Sequence, residues 1–251
     1  MKMAMGYEAT ISTSTPVELS VVILCYRARE STRQFAERIR ALFNQEEIFN
    51  YELILVGNYC SLDNDTTPRV VKELAEKYDN IRYVALKKQG MMGWDMKSGL
   101  SQAGGKYIAV IDGDGQMPVE DLVRVYRAIV SAQADLVKTY RLKRGDSLWR
   151  KIISWLYNIF FSILFPGLAL KDINSKPKIF TNSAYNKLKL LSDDWFIDAE
   201  IMIQARRLKF KVVEIPTVFF GLVGRRSFVG LKTIFEFIKN LLVYRLKEFF
   251  K

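Results

Sequence analysis

Two rhythms of hydrophobic and polar positions alternate along residues 19–139. Short apolar runs of strand length alternate with longer segments whose apolar side chains recur every three or four positions. The predicted strands are Leu19–Cys25, Tyr51–Gly57, Ile81–Leu86, Lys106–Ile111 and Asp135–Thr139. The predicted helices are Thr32–Asn44, Pro68–Tyr78 and a segment that begins at Pro118. This alternation indicates an α/β fold with a Rossmann-like, mostly parallel sheet and flanking helices.

Two of the predicted helix starts carry capping signals. Ser31 and Gln34 have the spacing of a capping box, in which each side chain accepts a hydrogen bond from a backbone N–H. Thr67 followed by Pro68 is typical of an N-cap with proline at the first helical position. We therefore expect the hydroxyls of Ser31 and Thr67 to accept hydrogen bonds from the first turns of their helices.

An aromatic, apolar segment lies in the second half of the chain. Ile152–Leu170 contains 19 residues and no charge, close to the length of a membrane-spanning helix. Its polar positions and the Pro166-Gly167 pair weigh against a span, whereas Trp149 and Trp155 are typical of a membrane interface. We favour an interfacial helix over residues 148–170, and a buried core helix or a true span remains an open alternative.

The C-terminal segment Leu231–Lys251 is also amphipathic. Leu231, Phe235, Ile238 and Leu242 form one apolar stripe, with cations elsewhere. Such a helix either docks on the protein's own core or lies on a membrane surface. We therefore predict a disordered lead (residues 1–17), one α/β domain (18–230) and a C-terminal amphipathic helix (231–251).

The net charge of +11 is unevenly distributed. Residues 1–137 hold 16 Lys+Arg and 18 Asp+Glu, whereas residues 138–251 hold 22 and 9. This asymmetry suggests that the second part faces nucleic acid, phospholipid headgroups or a phosphorylated substrate. Aromatic residues clustered in long apolar helices fit a bilayer better than a stacking platform, so we expect no nucleic-acid partner.

The chain has no histidine, and its two cysteines are Cys25 and Cys60. Without imidazole, a Ser-His-Asp or Cys-His nucleophile system is excluded, so the chemistry rests on carboxylates, amides and cations. Each cysteine ends an apolar run, where an unreactive thiol in a reducing cytosol is the expected state. Residues 1–18 lack the apolar core of a secretion signal.

An acidic turn follows the fourth predicted strand. Asp112 and Asp114 are two residues apart, and Gly113 and Gly115 allow a tight turn between them. Ligands of open α/β sheets bind at the carboxyl ends of strands, so both carboxylates can point into one site. With the amide oxygen of Gln116 they suit Mg²⁺ or Mn²⁺. An ordinary Asp-Gly turn between strand and helix is the alternative.

Five motifs between residues 19 and 230 occur in an order that resembles one protein family. Residues 112–118 are similar to DADxQxPP, and the first strand with Tyr26 is similar to PxYNE. The runs that resemble DxTSGFRxF, WxFDxEL and EIPVxF begin at Asp172, Trp195 and Glu214. The family is that of the family-2 glycosyltransferases, in particular the dolichyl- or polyprenyl-phosphate sugar synthases.

The resemblance implies a GT-A fold, which binds a nucleotide-diphospho-sugar, and an inverting, metal-dependent glycosyltransferase. By that resemblance Asp112, Asp114 and Gln116 bind the divalent ion, which stabilises the charge that develops on the leaving diphosphate. The residues expected at the donor nucleotide are Tyr26, Arg27, Glu30, Asn58, Lys97, Asp112 and Gly113.

The resemblance also implies a polyprenyl or dolichyl phosphate acceptor. Arg141 and Arg150 are similar in placement to the acceptor-phosphate arginines, and guanidinium forks match phosphate oxygens. The further residues expected there are Arg144, Ser175, Lys178 and Arg225. An anionic phosphate needs no strong base. Asp198 and Glu200 are therefore expected to orient the acceptor, to act as base for a hydroxyl, or to serve in a helix cap or ion pair.

Two departures from the family pattern leave open which nucleotide the donor carries. Arg27 and Ala28 stand where the family has Asn-Glu, and Gly57 and Asn58 replace paired aspartates after the second strand. Asn58 can both donate and accept hydrogen bonds, so a GDP-sugar and a UDP-sugar are both compatible with it.

The predicted protein is a glycosyltransferase at the cytoplasmic face of a membrane, peripheral or interfacially embedded. Its expected partners are a nucleotide sugar, polyprenyl phosphate and the membrane surface, and its cofactor is Mg²⁺ or Mn²⁺. A family-2 enzyme that acts on a saccharide or lipid hydroxyl is an open alternative, as is a degenerate nucleotide-binding domain. A membrane-protein partner is left unspecified.

Overall fold

The computed structural model describes residues 16–61, 64–145, 148–168, 170–220 and 231–249, so the predicted disordered lead lies almost entirely outside it. The strands in these ranges are β1 (Leu19–Leu24), β2 (Tyr51–Val56), β3 (Ile81–Val84), β4 (Tyr107–Asp112), β5 (Leu136–Arg144), β6 (Lys178–Thr181) and β7 (Val212–Phe219). The helices are α1 (Ser31–Gln45), α2 (Thr67–Lys77), α3 (Met92–Leu100), α4 (Glu120–Ala132), α5 (Leu148–Leu164), α6 (Asn182–Tyr185), α7 (Ile197–Arg207) and α8 (Leu231–Phe249).

The strands form one sheet in the order β3-β2-β1-β4-β6-β5-β7. β6 runs antiparallel to β4 and β5, and the other neighbouring pairs are parallel. The carboxyl ends of the parallel strands therefore lie at one edge, and β6 starts at that same edge. Residues just before β6 and residues just after β4 thus share the edge at which α/β sheets bind ligands.

Alternate side chains of the central strands pack into two cores, one on each face of the sheet. In β1, Val21 and Ile23 belong to the core formed with α1, α2 and α4. Val22 and Leu24 belong to the core formed with α3, α5, α7 and α8. Because both faces are covered, the strands are continuous apolar runs, as is typical of parallel sheets.

The predicted α/β architecture is confirmed, and most predicted ends lie within two residues of those observed. The pattern predicts neither α3 nor α7. Helix α3 contains Gly93 and Gly99, which weaken a helical signal. In α7 the carboxylates of Asp198 and Glu200 are buried together with their apolar neighbours, so the polar positions of this segment do not mark a solvent-facing side.

The capping prediction is wrong for both helices. Ser31 lies inside α1 and its hydroxyl donates to the carbonyl of Ala28. Thr67 is the first residue of α2, and its hydroxyl donates to Oδ1 of Asp65 (2.6 Å). The same oxygen accepts from the backbone N–H of Thr67 (3.0 Å). A carboxylate two residues earlier therefore accepts the hydrogen bonds at this helix start.

Helix α5 packs on the domain by one face and exposes the other. Phe161 is buried in the second core, as is Phe165 just beyond the helix end. Elsewhere on its surface large apolar side chains are exposed, including Trp155 at 61% and Ile163 at 70%. Among the segments that the structure describes, no helix is both long and apolar enough to cross a membrane.

Helix α8 docks on the domain, as one of the two interpretations of its sequence predicts. Leu241 is fully buried in the second core. The side-chain amide of Asn240 donates to Oδ2 of Asp194 (2.8 Å). Ile238 and Leu242, which belong to the predicted apolar stripe, are exposed. The helix therefore has an apolar surface that its contacts with the domain do not cover.

We expect Gly99→Ala to destabilise the protein although alanine is the better helix former. A Cβ at Gly99 would lie 2.5 Å from methyl carbons of Val22 and Val56. Overpacking of this kind costs about 1–3 kcal/mol, which exceeds the ~1 kcal/mol gained in helix propensity. In the control Gly104→Ala the new Cβ would meet no atom within 4 Å, so the change should stay within about 0.5 kcal/mol. Urea unfolding compares the two, and equal stability would contradict the close approach of α3 to the sheet.

Candidate active site

The acidic turn begins at the last residue of β4. Asp112 ends the strand, and the N–H of Gly113 donates to the last carbonyl of β1 (2.9 Å). Oδ1 of Asp114 accepts from the backbone N–H of Gln116 (3.0 Å). The side-chain amide of Gln116 donates to the carbonyl of Phe220 (3.1 Å). The turn is therefore held by β1 on one side and by the residue after β7 on the other.

A chain of buried charges joins Asp112 to the interior. Its Oδ2 lies 3.3 Å from Nζ of Lys176, and the same ammonium lies 3.0 Å from Oδ2 of Asp198. Oδ1 of Asp198 accepts from Nζ of Lys178 (2.7 Å). The side chain of Lys176 is 2% exposed and that of Asp198 is 1% exposed, whereas that of Asp112 is 34% exposed. The chain of charges therefore meets solvent at Asp112.

Alternating charges shift the pKa values of these groups. Burial opposes ionisation of Asp198, but the two ammonium groups hold its pKa below the usual value. Burial also opposes the charge of Lys176, but Asp112 and Asp198 raise its pKa above that of an ordinary lysine. For Lys178 burial dominates and lowers the pKa to about 7. Asp198 is thus an enclosed, paired carboxylate. Of the roles that the sequence leaves open for Asp198, the structure supports the ion pair.

Glu200 is buried as well and accepts hydrogen bonds that hold the structure together. Its carboxylate accepts from the backbone N–H groups of Leu191 (3.0 Å) and Ser192 (2.8 Å) and from the hydroxyl of Tyr244. These bonds tie the loop before α7, and helix α8, to α7. Because the carboxylate has no exposed surface, the structure gives Glu200 a role in holding this loop and α8 in place rather than a catalytic role or a helix cap.

Asn58 does not present its amide to a nucleotide. The residue is fully buried, and its Nδ2 donates to Asp95 (3.0 Å) and to Ser98 (2.9 Å). Its Oδ1 accepts from the backbone N–H of Leu86 (2.8 Å). Asp95 also pairs with Lys88. The predicted nucleotide contact of Asn58 is therefore corrected, because its amide joins the ends of β2 and β3 to α3.

Tyr26 lies beside two cations at the carboxyl end of β1. The ammonium of Lys88 is 4.1 Å from the centroid of the Tyr26 ring, and the guanidinium of Arg27 is 5.2 Å from it. An aromatic ring with adjacent cations can stack on a base and attract phosphate. Tyr26 and the exposed Arg27 therefore suit the nucleotide of a donor, whereas Lys88, which is 7% exposed, pairs with Asp95 inside the protein.

Two other residues predicted at the donor make ion pairs within the protein. Glu30 pairs with Arg33 on the surface of α1 (3.0 Å). Lys97 pairs with Asp193 (2.7 Å) and donates to the carbonyl of Leu191 (2.9 Å). Both side chains are thus engaged by the protein itself.

Arg141, near the carboxyl end of β5, is held by Asp172. Its Nε and Nη2 lie 2.6 and 2.8 Å from the two carboxylate oxygens, a bidentate arrangement. Burial would raise the pKa of Asp172, but the guanidinium holds that pKa well below its usual value. The orientation of Arg141 is therefore preset at the same sheet edge as the acidic turn.

The remaining residues predicted at the acceptor fall into two groups. Ser175 and Lys178 are fully buried, and the hydroxyl of Ser175 shares a hydrogen bond with that of Thr139 (2.7 Å). Because neither side chain reaches solvent, their predicted contact with a phosphate is corrected. The second group, whose side chains lie outside the described part of the structure, comprises Arg144, Arg150 and Arg225.

The acidic turn fits an ion of the Mg²⁺ or Mn²⁺ type. Asp112, Asp114 and Gln116 carry carboxylate and amide oxygens, which are hard ligands. Within the described ranges no group of three or more acidic, histidine or cysteine side chains could hold a metal. Two carboxylates suit an ion that completes its coordination with phosphate oxygens and water rather than a closed protein cage.

Lys176 is absent from the predicted site residues. It stands where the motif DxTSGFRxF has glycine, so a cation replaces a residue without a side chain. That replacement is a visible signal in the sequence. Its contact with Asp112 could not be read from the sequence, because it depends on the direction of β6.

Comparisons with known proteins bear on this site. A family model described as glycosyl transferase family 2 matches residues 20–191. The chain is 30% identical over 190 residues to a dodecaprenyl-phosphate galacturonate synthase of Rhizobium johnstonii, an alignment that covers 72% of this chain. It is 27% identical over 238 residues to a dolichol-phosphate mannosyltransferase of Pyrococcus furiosus, which covers 92% of this chain. The chain spans 54% and 64% of the lengths of these two relatives.

A solved structure gives the same fold. Glucosyl-3-phosphoglycerate synthase from Mycobacterium tuberculosis, in complex with Mn²⁺, uridine diphosphate and phosphoglyceric acid, superposes with a TM-score of 0.69. The match covers 91% of this chain and 78% of that chain at 15% sequence identity. At this identity the likeness shows the fold alone, and it confirms the predicted GT-A fold.

We expect Glu200→Ala to lower the free energy of unfolding by about 3 kcal/mol or more. Two backbone N–H groups and a hydroxyl would lose their acceptor, at about 1–3 kcal/mol for each buried group. The control is Glu76→Ala, which removes an exposed carboxylate 3.7 Å from Lys72 and should cost less than about 1 kcal/mol. Equilibrium urea denaturation measures both. The structural role of Glu200 is refuted if its variant is as stable as the control.

Proposed function

This chain belongs to glycosyl transferase family 2, and we propose that it moves a sugar from a GDP- or UDP-sugar to a polyprenyl or dolichyl phosphate at a membrane surface. The observation that carries the proposal is the carboxylate pair Asp112 and Asp114 at the ligand-binding edge of the sheet. Relatives named for dodecaprenyl phosphate and dolichol phosphate support this class of acceptor.

Asp112, Asp114 and Gln116 would hold Mg²⁺ or Mn²⁺ at the donor diphosphate. When bound, such an ion neutralises charge on the leaving nucleoside diphosphate more strongly in the transition state than in the ground state. Tyr26 and the adjacent Arg27 would bind the nucleoside end, since they lie just beyond the carboxyl end of β1. The donor would therefore lie along the edge, with its diphosphate at the acidic turn.

The burial of Asp198 and Glu200 favours a phosphate acceptor over a hydroxyl. A phosphate oxygen is already anionic, so it can attack the anomeric carbon directly while the bond to the diphosphate breaks. Asp198 and Glu200, the carboxylates considered as bases, are both enclosed by the protein. Arg141, preset by Asp172, would orient the acceptor phosphate through its guanidinium.

The exposed surfaces of two amphipathic helices support the proposal that the protein acts at a membrane surface. The rings of Tyr157 in α5 and Phe237 in α8 lie 5.4 Å apart, so the helices are neighbours. The exposed large apolar side chains of the two helices include Leu148, Ile152, Trp155, Leu156, Ile159, Ile163, Ile238, Leu242, Val243 and Leu246. Such a surface can enter the headgroup boundary, where a lipid-linked phosphate is presented.

We expect transfer to polyprenyl phosphate to require Asp112. The assay incubates the protein with a panel of GDP- and UDP-sugars, polyprenyl phosphate in vesicles and Mn²⁺, and it identifies acid-labile lipid-phosphate sugar. Asp112→Asn should lower the rate at least about a hundredfold, because a charged ligand of the ion is lost. The control Asp79→Asn, an exposed residue between α2 and β3, should keep full activity. A product with the sugar attached to a hydroxyl would refute the proposed phosphate acceptor. Activity of Asp112→Asn in the presence of chelator would refute the proposed metal ion.

We expect Trp155→Glu to weaken binding to anionic vesicles at least about tenfold, because a large apolar side chain is replaced by a charge at the headgroup boundary. Phe49→Glu is the matched control, since Phe49 is 69% exposed between α1 and β2. Co-sedimentation with phosphatidylglycerol vesicles measures both variants. An equal loss in the two variants would mean that α5 is not the membrane-facing surface.

A further inference from the structure

The ammonium of Lys176 has three neighbours, and one of them belongs to the acidic turn. Its Nζ lies 3.0 Å from Asp198, 3.3 Å from Asp112 and 3.3 Å from Sδ of Met92 at the start of α3. An ammonium carries three N–H donors, and a thioether is a weak acceptor. The two carboxylates are therefore the strong partners, and the ammonium bridges them.

The buried carboxylate has a second cationic partner. Lys178 donates to Asp198 at 2.7 Å. Asp112 is partly exposed, so water can solvate it without a lysine. The contact between Lys176 and Asp112 is therefore not needed to neutralise a buried carboxylate, and it places a positive charge at the turn.

A divalent ion at Asp112 and Asp114 would meet this charge at short range. Coulomb repulsion between charges of +1 and +2 about 6 Å apart weakens binding about tenfold even at the dielectric constant of water. A nucleoside diphosphate carries at least two negative charges and attracts both cations. When the diphosphate binds, the ammonium and the divalent ion are both attracted to the same anion.

We propose that Lys176 makes binding of the divalent ion depend on the nucleoside diphosphate. Without the diphosphate, the ammonium neutralises Asp112 and repels the ion. With it, the ammonium pairs with the diphosphate instead of Asp112 and leaves that carboxylate to the ion, so the ion and the nucleotide strengthen each other's binding by the same factor. The inference rests on the proposed function, because it takes the acidic turn as the site of ion and diphosphate.

Calorimetric titrations of the full chain test this coupling. Mn²⁺ alone, UDP or GDP alone, and Mn²⁺ in the presence of nucleotide are titrated into the wild type, Lys176→Met and Lys106→Met. Methionine has a similar length and no charge. Lys106 is the matched control, because it is exposed at the opposite end of β4, 3.3 Å from Glu18. Both variants change the net charge equally.

Lys176→Met should bind Mn²⁺ alone about tenfold more tightly, because the opposing charge is removed. It should bind the nucleotide alone about tenfold more weakly, and its coupling factor should fall. Lys106→Met should match the wild type. Lys176→Gln keeps a polar N–H donor without the charge and should behave like Lys176→Met. If Lys176→Met does not fold, Lys176→Gln is used in its place.

Three results would overturn the inference. The first is a Lys176→Met protein whose affinities for Mn²⁺ alone and nucleotide alone equal those of Lys106→Met, since Lys176 would then serve the structure only. The second is failure of both Lys176 variants to fold, because the lysine would then be required by the interior. The third is a wild type that binds neither UDP nor GDP, with or without Mn²⁺. This last result alone would also refute the proposed function.

Discussion

The pairing of Asp198 with two lysines is the interaction on which the site depends. A buried carboxylate is tolerated only when its charge is balanced and its oxygens accept hydrogen bonds. Lys176 and Lys178 come from the start of β6, and Asp198 comes from α7. Their pairing therefore joins a strand, a helix and, through Asp112, the acidic turn. The exposed carboxylate at the end of β4 is thus linked through Lys176 to the buried charges.

The direction of β6 makes this pairing possible. If β6 ran parallel to β4, the segment before it would lie at the opposite edge of the sheet. Because β6 is antiparallel to both of its neighbours, the lysines around its first residue lie beside the carboxyl end of β4. The reversed direction of β6 thus places Lys176 and Lys178 at the edge where the parallel strand β4 ends in Asp112.

Part of the cationic excess of the second half serves the interior. Lys138 is fully buried and pairs with Glu214 at 3.0 Å, and Arg141 is held by Asp172. The lysines around Asp198 are enclosed as well. Fewer positive charges face the surroundings than the composition suggests. The exposed apolar side chains of α5 and α8 are therefore a better argument for a membrane surface than the net charge is.

The α/β class, the strands of the first half and the acidic turn after β4 can all be predicted from the sequence. Those features are local, because apolar periodicity and glycine-flanked carboxylates can be read within a few residues. Which polar side chains are enclosed follows from the tertiary structure. The predicted site residues that it encloses are Asn58, Ser175, Lys178, Asp198 and Glu200. It also brought Lys176 to Asp112 across 64 positions of sequence. Burial and ion pairing depend on how β6 and α7 pack against distant strands, and no local pattern specifies that packing.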